Sequence, residues 1–153
     1  MLDAIRNFIL LRNPRVRRLQ ARFLKSLEPE FAEEILELLL RLMSLVLLAH
    51  RGFRKNIEGF KGRYLFRSRD NEITVAAIFE NNRLRVKEAV IDDTDLTVTF
   101  RDAKALLTYL FSPKPDILGS LLRQDVVIDG NLNYLYKFAY MANHLRLMAA
   151  GKV

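Results

Sequence analysis

The spacing of apolar residues changes from helical to alternating near Gly62. Before it they recur every three or four residues. After it they alternate: Tyr64 and Phe66 sit between Arg63, Leu65 and Arg67; Ile73, Val75, Ala77 and Phe79 share a face; Leu84, Val86 and Val90 share another; and Leu96, Val98 and Phe100 alternate with Thr97, Thr99 and Arg101. The first period belongs to helices and the second to strands, so the chain must fold a helical first part against a sheet. Turn pairs at Asp70-Asn71 and Asn81-Asn82 divide the alternating part into four strands, which read as an antiparallel meander with one covered and one wet face. Glu88 falls on the Leu84/Val86/Val90 face. A bulge near Glu88-Ala89 would rotate it outward, and a polar group beside a ligand cavity is the functional alternative.

The last third runs strand, two short helices, strand, long helix. Asp102 can cap a helix ending near Phe111, and Pro115 can begin another that runs through Arg123. Val126 to Asp129 make a fifth strand, and Gly130 permits the sharp exit that lets Asn131 cap the final helix. There Leu132, Leu135, Ala139, Ala142 and Leu145 read as the apolar face, while Asn133, Lys137 and His144 point away. Helices before and after such a sheet define an α+β domain. The expected architecture is a five-stranded, mainly antiparallel curved sheet covered by helices, with an N-terminal helical extension.

Ahead of the sheet, a helix is expected from about Pro29 to His50. Pro29 suits the first helical position, Glu30, Glu33 and Glu34 suit the positive end, and Gly52 can stop it. Its polar residues Glu30, Glu34, Glu37, Arg41 and Ser44 form one narrow stripe, so most of its circumference needs cover from the sheet, a second subunit in a homodimer, or a lipid.

Charge separates the N-terminus from the rest. Residues 1–27 carry seven basic side chains and one acid, a net +6 of the chain's +7, leaving +1 for residues 28–153. Leu2, Ile5, Phe8 and Ile9, then Val16, Leu19, Phe23 and Leu27, recur at helical steps with a break at Asn13-Pro14. We therefore divide the chain into a basic amphipathic arm, 1–28, and a domain, 29–153. Such an arm suits an anionic membrane surface, with Arg12, Arg15, Arg17, Arg18 and Arg22 as its contacts. It can equally dock on its own domain with the arginines in water. Nucleic acid is a third partner for the same charge, but no groove-reading motif accompanies it.

Composition narrows the chemistry. A chain of 153 residues suits one domain. With no Cys there is no disulfide, thiolate nucleophile or Cys-based metal site, which suits a reducing cytoplasm. The first apolar run, Phe8 to Leu11, is too short for a secretory signal, and Gly-Lys-Val is not a peroxisomal terminus. The best spanning candidate, Ile35 to Ala49, is interrupted by Glu37 and Arg41 and falls short of the length a bilayer needs. His50 and His144 lack a second ligand at metal spacing, so solvated or capping roles are expected. Ser120 lacks the glycine of a nucleophile elbow, and Asp92, Asp93 and Asp95 read as a solvated turn. No catalytic residue, metal or cofactor is assigned.

The stretches Asp95-Leu-Thr-Val-Thr-Phe100, Ser112-Pro-Lys-Pro-Asp-Ile-Leu118, Asp125-Val-Val-Ile-Asp-Gly-Asn131 and Leu132-Asn-Tyr-Leu-Tyr-Lys-Phe138 resemble, in order and spacing, the sterol carrier protein 2 (SCP2) family over roughly 62–145. Where that family commonly has Gly-Lys before its last strand, this chain has Gln124-Asp125. The run Leu122-Arg-Gln-x-Val-Val-Ile-Asp-Gly130, with the opening Met1-Leu-Asp-x-Ile-Arg6, looks more like the bacterial SCP2-domain lipid-binding accessory factor of oxygen-independent ubiquinone biosynthesis. The resemblance implies a non-enzymatic protein at the inner face of the membrane, holding an apolar lipid in a tunnel and presenting it to quinone-modifying enzymes. The ligand class it implies is a polyprenyl quinone precursor, with a general phospholipid or fatty-acid carrier, or an oligomeric interaction module with a filled core, as alternatives. Candidate tunnel residues are Phe79, Val98, Phe100, Leu106, Leu110, Leu118, Leu121, Leu122, Leu135, Ala139 and Met141. The same residue types would also make plain core.

Overall fold

The computed structural model describes residues 29–111, 117–149 and 151; the basic arm and Pro115 lie outside the described residues. A 3-10 turn at Pro29–Phe31 leads into α1 (Ala32–Ala49), followed by the short α2 (Arg51–Arg54) and a second 3-10 turn at Lys55–Ile57. Then come β1 (Gly62–Ser68), β2 (Thr74–Glu80), β3 (Arg83–Lys87), β4 (Leu96–Phe100), α3 (Ala103–Phe111), α4 (Ile117–Leu122), β5 (Val126–Gly130) and α5 (Leu132–Ala149).

The sheet is five-stranded in the order β3-β2-β1-β4-β5. The first three strands form the expected meander, with Asn71, Asn81 and Asn82 at positive φ in the turns. At Asn81-Asn82 both central residues of a two-residue loop are left-handed, the geometry that matches strand twist. The fourth strand departs from the expectation. Instead of pairing with β3, it crosses over and lies parallel to β1, with Leu96 beside Tyr64 and Val98 beside Phe66. Alternation specifies a strand but not its neighbour, and the connection 88–95 is long enough to cross the sheet. Arg63, on the face opposite Tyr64, donates from its guanidinium to the Asp92 carbonyl at 3.1–3.2 Å, tying that crossover down. The expected bulge at Glu88 is absent because β3 ends at Lys87, opposite Ala76, and Glu88 lies exposed beyond it.

Register puts Tyr64, Phe66, Val75, Ala77, Phe79, Leu84, Leu96, Val98, Phe100 and Val126 on one face, and all are buried. Helix α1 packs on this face through Leu36, Leu40, Met43 and Leu47, each contributing about 1.5–3 kcal/mol on burial. Its polar stripe does not face out as a unit. Ser44 of that stripe bonds to the sheet, its Oγ donating to the Leu84 carbonyl at 2.8 Å, as does Glu33 outside the stripe, whose carboxylate accepts from the Thr74 N–H at 2.7 Å. What faces out instead includes Leu38, Leu45 and Leu48, at 40%, 60% and 50% exposure. Nor does Gly52 stop the helix. The chain breaks at His50, whose Nδ1 accepts the Phe53 N–H at 3.0 Å and starts a new turn containing Gly52.

Two caps match the sequence. The Asp102 carboxylate accepts the Ala105 N–H at 2.8 Å, and Asn131 Oδ1 accepts the Asn133 N–H at 2.9 Å. Burial works against ionising Asp102, but the Ala105 N–H and Arg101 outweigh it and hold the carboxyl below its usual 3.8. The face that α5 buries is rotated from the one expected. Tyr134, Leu135, Phe138, Met141, Leu145 and Met148 pack inward, while Leu132 and Ala142 are exposed. Lys137 lies 5.2 Å over the Phe60 ring, and His144 packs edge-on to Phe53 at 5.2 Å. Both carry enough ring or methylene to serve as wall while their polar ends find partners.

Candidate functional site

Six of the candidate tunnel residues converge. Phe79, Val98, Phe100, Leu106, Leu135 and Met141 are all buried in one core between the sheet and the helices, with Leu110 packed partly buried against it. Around them the aromatic rings form a chain of contacts. Tyr64 meets Phe79 edge-on at 5.5 Å and stacks on Phe66 at 6.3 Å, Phe60 approaches Phe79 at 5.7 Å, and Phe138 lies 5.5 Å from Tyr64 and 5.2 Å from Phe66. The Tyr64 hydroxyl, inside this apolar wall, donates to the Tyr134 carbonyl at 2.8 Å and so ties β1 to the first turn of α5. Burial, reinforced by Tyr134 and Asp95, pushes that hydroxyl's pKa up.

The other candidates lie elsewhere. Leu118 and Leu122 on α4 are 68% and 77% exposed, and Leu121 and Ala139 are half-buried. With them, the last third of the chain exposes Val127, Leu132, Tyr136 and Tyr140. The helix α5 stripe Leu132/Tyr136/Tyr140 repeats every four residues, a signal present in the sequence but masked by the apolar residues on the helix's other sides. Arg12, Arg15, Arg17, Arg18 and Arg22 lie outside the described residues.

Polar chemistry collects at two places away from this wall. Glu37 and Glu88 share a hydrogen bond beside Arg41, which also bonds Glu37. The shared hydrogen bond, then Arg41, lowers the Glu37 pKa, and the same hydrogen bond with the charge of Glu37 raises that of Glu88. At the end of α1 a shallow cavity of about 230 Å³ is lined by Arg51, Arg54, Lys55, Glu58 and Asn82. There Arg54 donates to the Leu48 carbonyl at 3.0 Å, and Asn82 accepts from the Gly59 N–H at 3.2 Å. Among the described residues no group of acids and histidines could hold a metal ion. His144 is not solvated as expected, since its Nδ1 is 3.0 Å from Asn56 Nδ2. Of the three clustered aspartates, Asp95 accepts the Arg63 N–H at 2.8 Å and so has a structural partner.

These elements define an α+β domain whose mixed five-stranded sheet packs one face on helices and, contrary to the expected wet face, also buries Leu65, Ala76 and Ile78 on the other, with a parallel pair at its centre. No family model matches the chain, and no curated protein matches it. Among solved structures it is similar to the UbiJ-SCP2 ubiquinone synthesis protein, at 15% identity and a TM-score of 0.49, over 69% of this chain and 93% of that one. It is also similar to the sterol carrier protein domain 2 of Helicoverpa armigera, at 18% identity and a TM-score of 0.47, over 74% and 87%. A third likeness is to the stereoselective inverting sec-alkylsulfatase Pisa1 from Pseudomonas sp., at 16% identity and a TM-score of 0.47, covering 59% of this chain but only 14% of the enzyme. SCP2 domains are thus among the structures the chain is similar to, as its sequence led us to expect. Likenesses at this level carry nothing about ligand or activity, which have to be read from the chain's own residues.

Proposed function

We propose that this protein is a non-catalytic holder of an apolar lipid. One observation supports the reading above the others: the last third of the chain leaves Leu118, Leu122, Val127, Leu132, Tyr136 and Tyr140 exposed. Surface leucines cost free energy in water unless something apolar covers them. A lipid chain would gain on the order of 25 cal/mol per Å² buried there. Among lipid classes a polyprenyl quinone precursor is favoured, on the sequence resemblance of Leu122–Gly130 and Met1–Arg6 to the ubiquinone accessory factor. In this reading the arginines of the arm hold the protein at an anionic membrane surface, where quinone-modifying enzymes would receive the lipid.

The test is mass spectrometry of the organic extract of protein purified without detergent, for wild type and for L118D/L122D. Both side chains are largely exposed, so the variant is expected to fold. Enriched polyprenyl-phenol or quinone in the wild type, lost in the variant, is the expected result. An enriched phospholipid or fatty acid would make the protein a general carrier. The dense ring contacts of the interior favour a second reading, an interaction module with a filled core, and an extract without lipid in both proteins would put that reading in front.

A further inference from the structure

We infer that the cavity at the end of α1 is a binding site for a phosphate group, with Arg51, Lys55 and the Asn82 amide as its contacts. This does not rest on the lipid reading. The observation is a set of cations gathered on one wall and left without anions. Arg51, Arg54 and Lys55 line the cavity with Asn82, and Glu58 is the one acid among the five lining residues. Arg54 and Lys55 follow Arg51 by three and four positions, so on a helical turn all three project to one side, where like charges repel.

For Arg54 the structure shows what offsets that repulsion. Its Nη1 donates to the Leu47 and Leu48 carbonyls at 3.5 and 3.0 Å, which belong to the last turn of α1 and carry that helix's negative end. Arg51 and Lys55 have no such relief. Both are exposed, and among the described residues neither they nor Glu58 take part in an ion pair. The wall that holds them is nonetheless fixed. Phe53 and Ile57 are fully buried from the same segment, His50 caps α2, and the bond from the Gly59 N–H to Asn82 Oδ1 pins the β2–β3 turn against it. That bond occupies the Asn82 carbonyl oxygen and leaves its amide nitrogen as a donor.

The arrangement fits one ligand chemistry. Three cations and one carboxylate leave a local charge of +2, and a phosphomonoester carries about −1.5 to −2 at neutral pH. Its three terminal oxygens can meet the guanidinium fork of Arg51, the ammonium of Lys55 and the Asn82 amide together. A carboxylate offers only two oxygens on one edge and cannot face all three donors. The shallow cavity of about 230 Å³ admits such a group whether it is free or the head of a lipid.

The full chain is titrated at constant ionic strength with inorganic phosphate and with glycerol phosphate, and the amide signals of Gly59 and of the Asn82 side chain are followed by heteronuclear NMR. Those signals come from the cavity itself. R51Q/K55Q removes two exposed cations and leaves Arg54 and the buried side chains in place, while K87Q/K104Q removes the same charge from exposed positions elsewhere. Saturable shifts are expected in wild type and K87Q/K104Q, with binding about tenfold weaker in R51Q/K55Q, the loss of one charge-assisted hydrogen bond. Sedimentation with phosphatidylcholine vesicles, with and without phosphatidate, then identifies the source. A loss in R51Q/K55Q beyond that in K87Q/K104Q assigns the phosphate to a lipid head, and equal sedimentation assigns it to a soluble phosphate. No saturable shift in wild type, equal affinity in wild type and R51Q/K55Q, or the same weakening in both variants would overturn the inference.

Discussion

Gly130 offers the most quantitative test of how β5 is joined to α5. Its φ is +122°, a region that side chains avoid, and a Cβ built there would lie 2.3 Å from the Asp95 carbonyl oxygen. That oxygen accepts the Asn131 N–H at 3.0 Å, while the Asp95 carboxylate accepts the Arg63 N–H, so displacing Asp95 loosens β1, β4 and α5 together. Gly130→Ala therefore combines backbone strain of about 1–3 kcal/mol with two weakened hydrogen bonds of about 1 kcal/mol each. The expected loss is about 3–5 kcal/mol, enough to lower the melting temperature by roughly 10 °C in a chain of this size. Gly59→Ala is the internal control. Gly59 also has positive φ, at +67°, but nothing lies within 4 Å of its added Cβ, so only the strain of about 1–2 kcal/mol applies. Urea unfolding of both variants by far-UV circular dichroism separates the two contributions. If Gly130→Ala and Gly59→Ala lose the same stability, the close approach to Asp95 contributes nothing and the reasoning is wrong.

Tyr64→Phe removes the bond to Tyr134 and should cost about 1 kcal/mol. Because burial raises the Tyr64 pKa above its usual 10, its stabilising contribution is complete below pH 10 and declines above it, so the variant's stability should fall less steeply at alkaline pH; identical slopes would refute this. For Glu88 the folded pKa is raised, so its contribution is present below 4.5 and lost as pH climbs through the folded value; the lowered pKa of Glu37 acts in the opposite sense, its contribution lost as pH falls. Glu88→Gln keeps a donor for Glu37 at every pH, with Arg41 and Glu33 as the neighbouring charges, and should gain in melting temperature relative to wild type from pH 4 to 7; parallel curves would count against it. Replacing Arg15, Arg17, Arg18 and Arg22 by Gln should reduce sedimentation with anionic vesicles at low salt without changing the melting temperature. Unchanged sedimentation would remove the membrane role of the arm.

Much of this architecture could be read from spacing. Alternation located four strands and the stretch Val126 to Asp129 before Gly130 supplied the fifth, Asp70-Asn71 and Asn81-Asn82 marked turns that need left-handed backbone, and Asp102 and Asn131 announced their helices. Pairing order could not be read this way, because Leu96, Val98 and Phe100 would alternate equally well beside β3 or β1. The buried face of α5 was misjudged for a related reason. Hydrophobicity ranks Lys137 and His144 as outward, yet the lysine ammonium lies over the Phe60 ring and the imidazole both packs on Phe53 and meets Asn56. At the candidate site the residue types were legible but their depth was not: Leu106 and Leu122 are the same amino acid on neighbouring helices, one buried and one bare.

The parallel pair at the centre of the sheet also sets an order of assembly. Strands β1 to β3 are joined by short turns and can pair as soon as they exist. The second edge of β1 waits for residues 96–100, some thirty positions further on, and β5 cannot attach until β4 is in place. During synthesis the nascent sheet therefore carries a bare inner edge lined by Tyr64, Leu65 and Phe66, a template for any passing strand. The finished outer edge has no such exposure, because β3 presents Arg83, Arg85 and Lys87 along it. The molecule is thus most open to mispairing while β4 is still to come, and slowing its synthesis between β3 and β4 should raise the aggregated fraction more than a delay anywhere after β5.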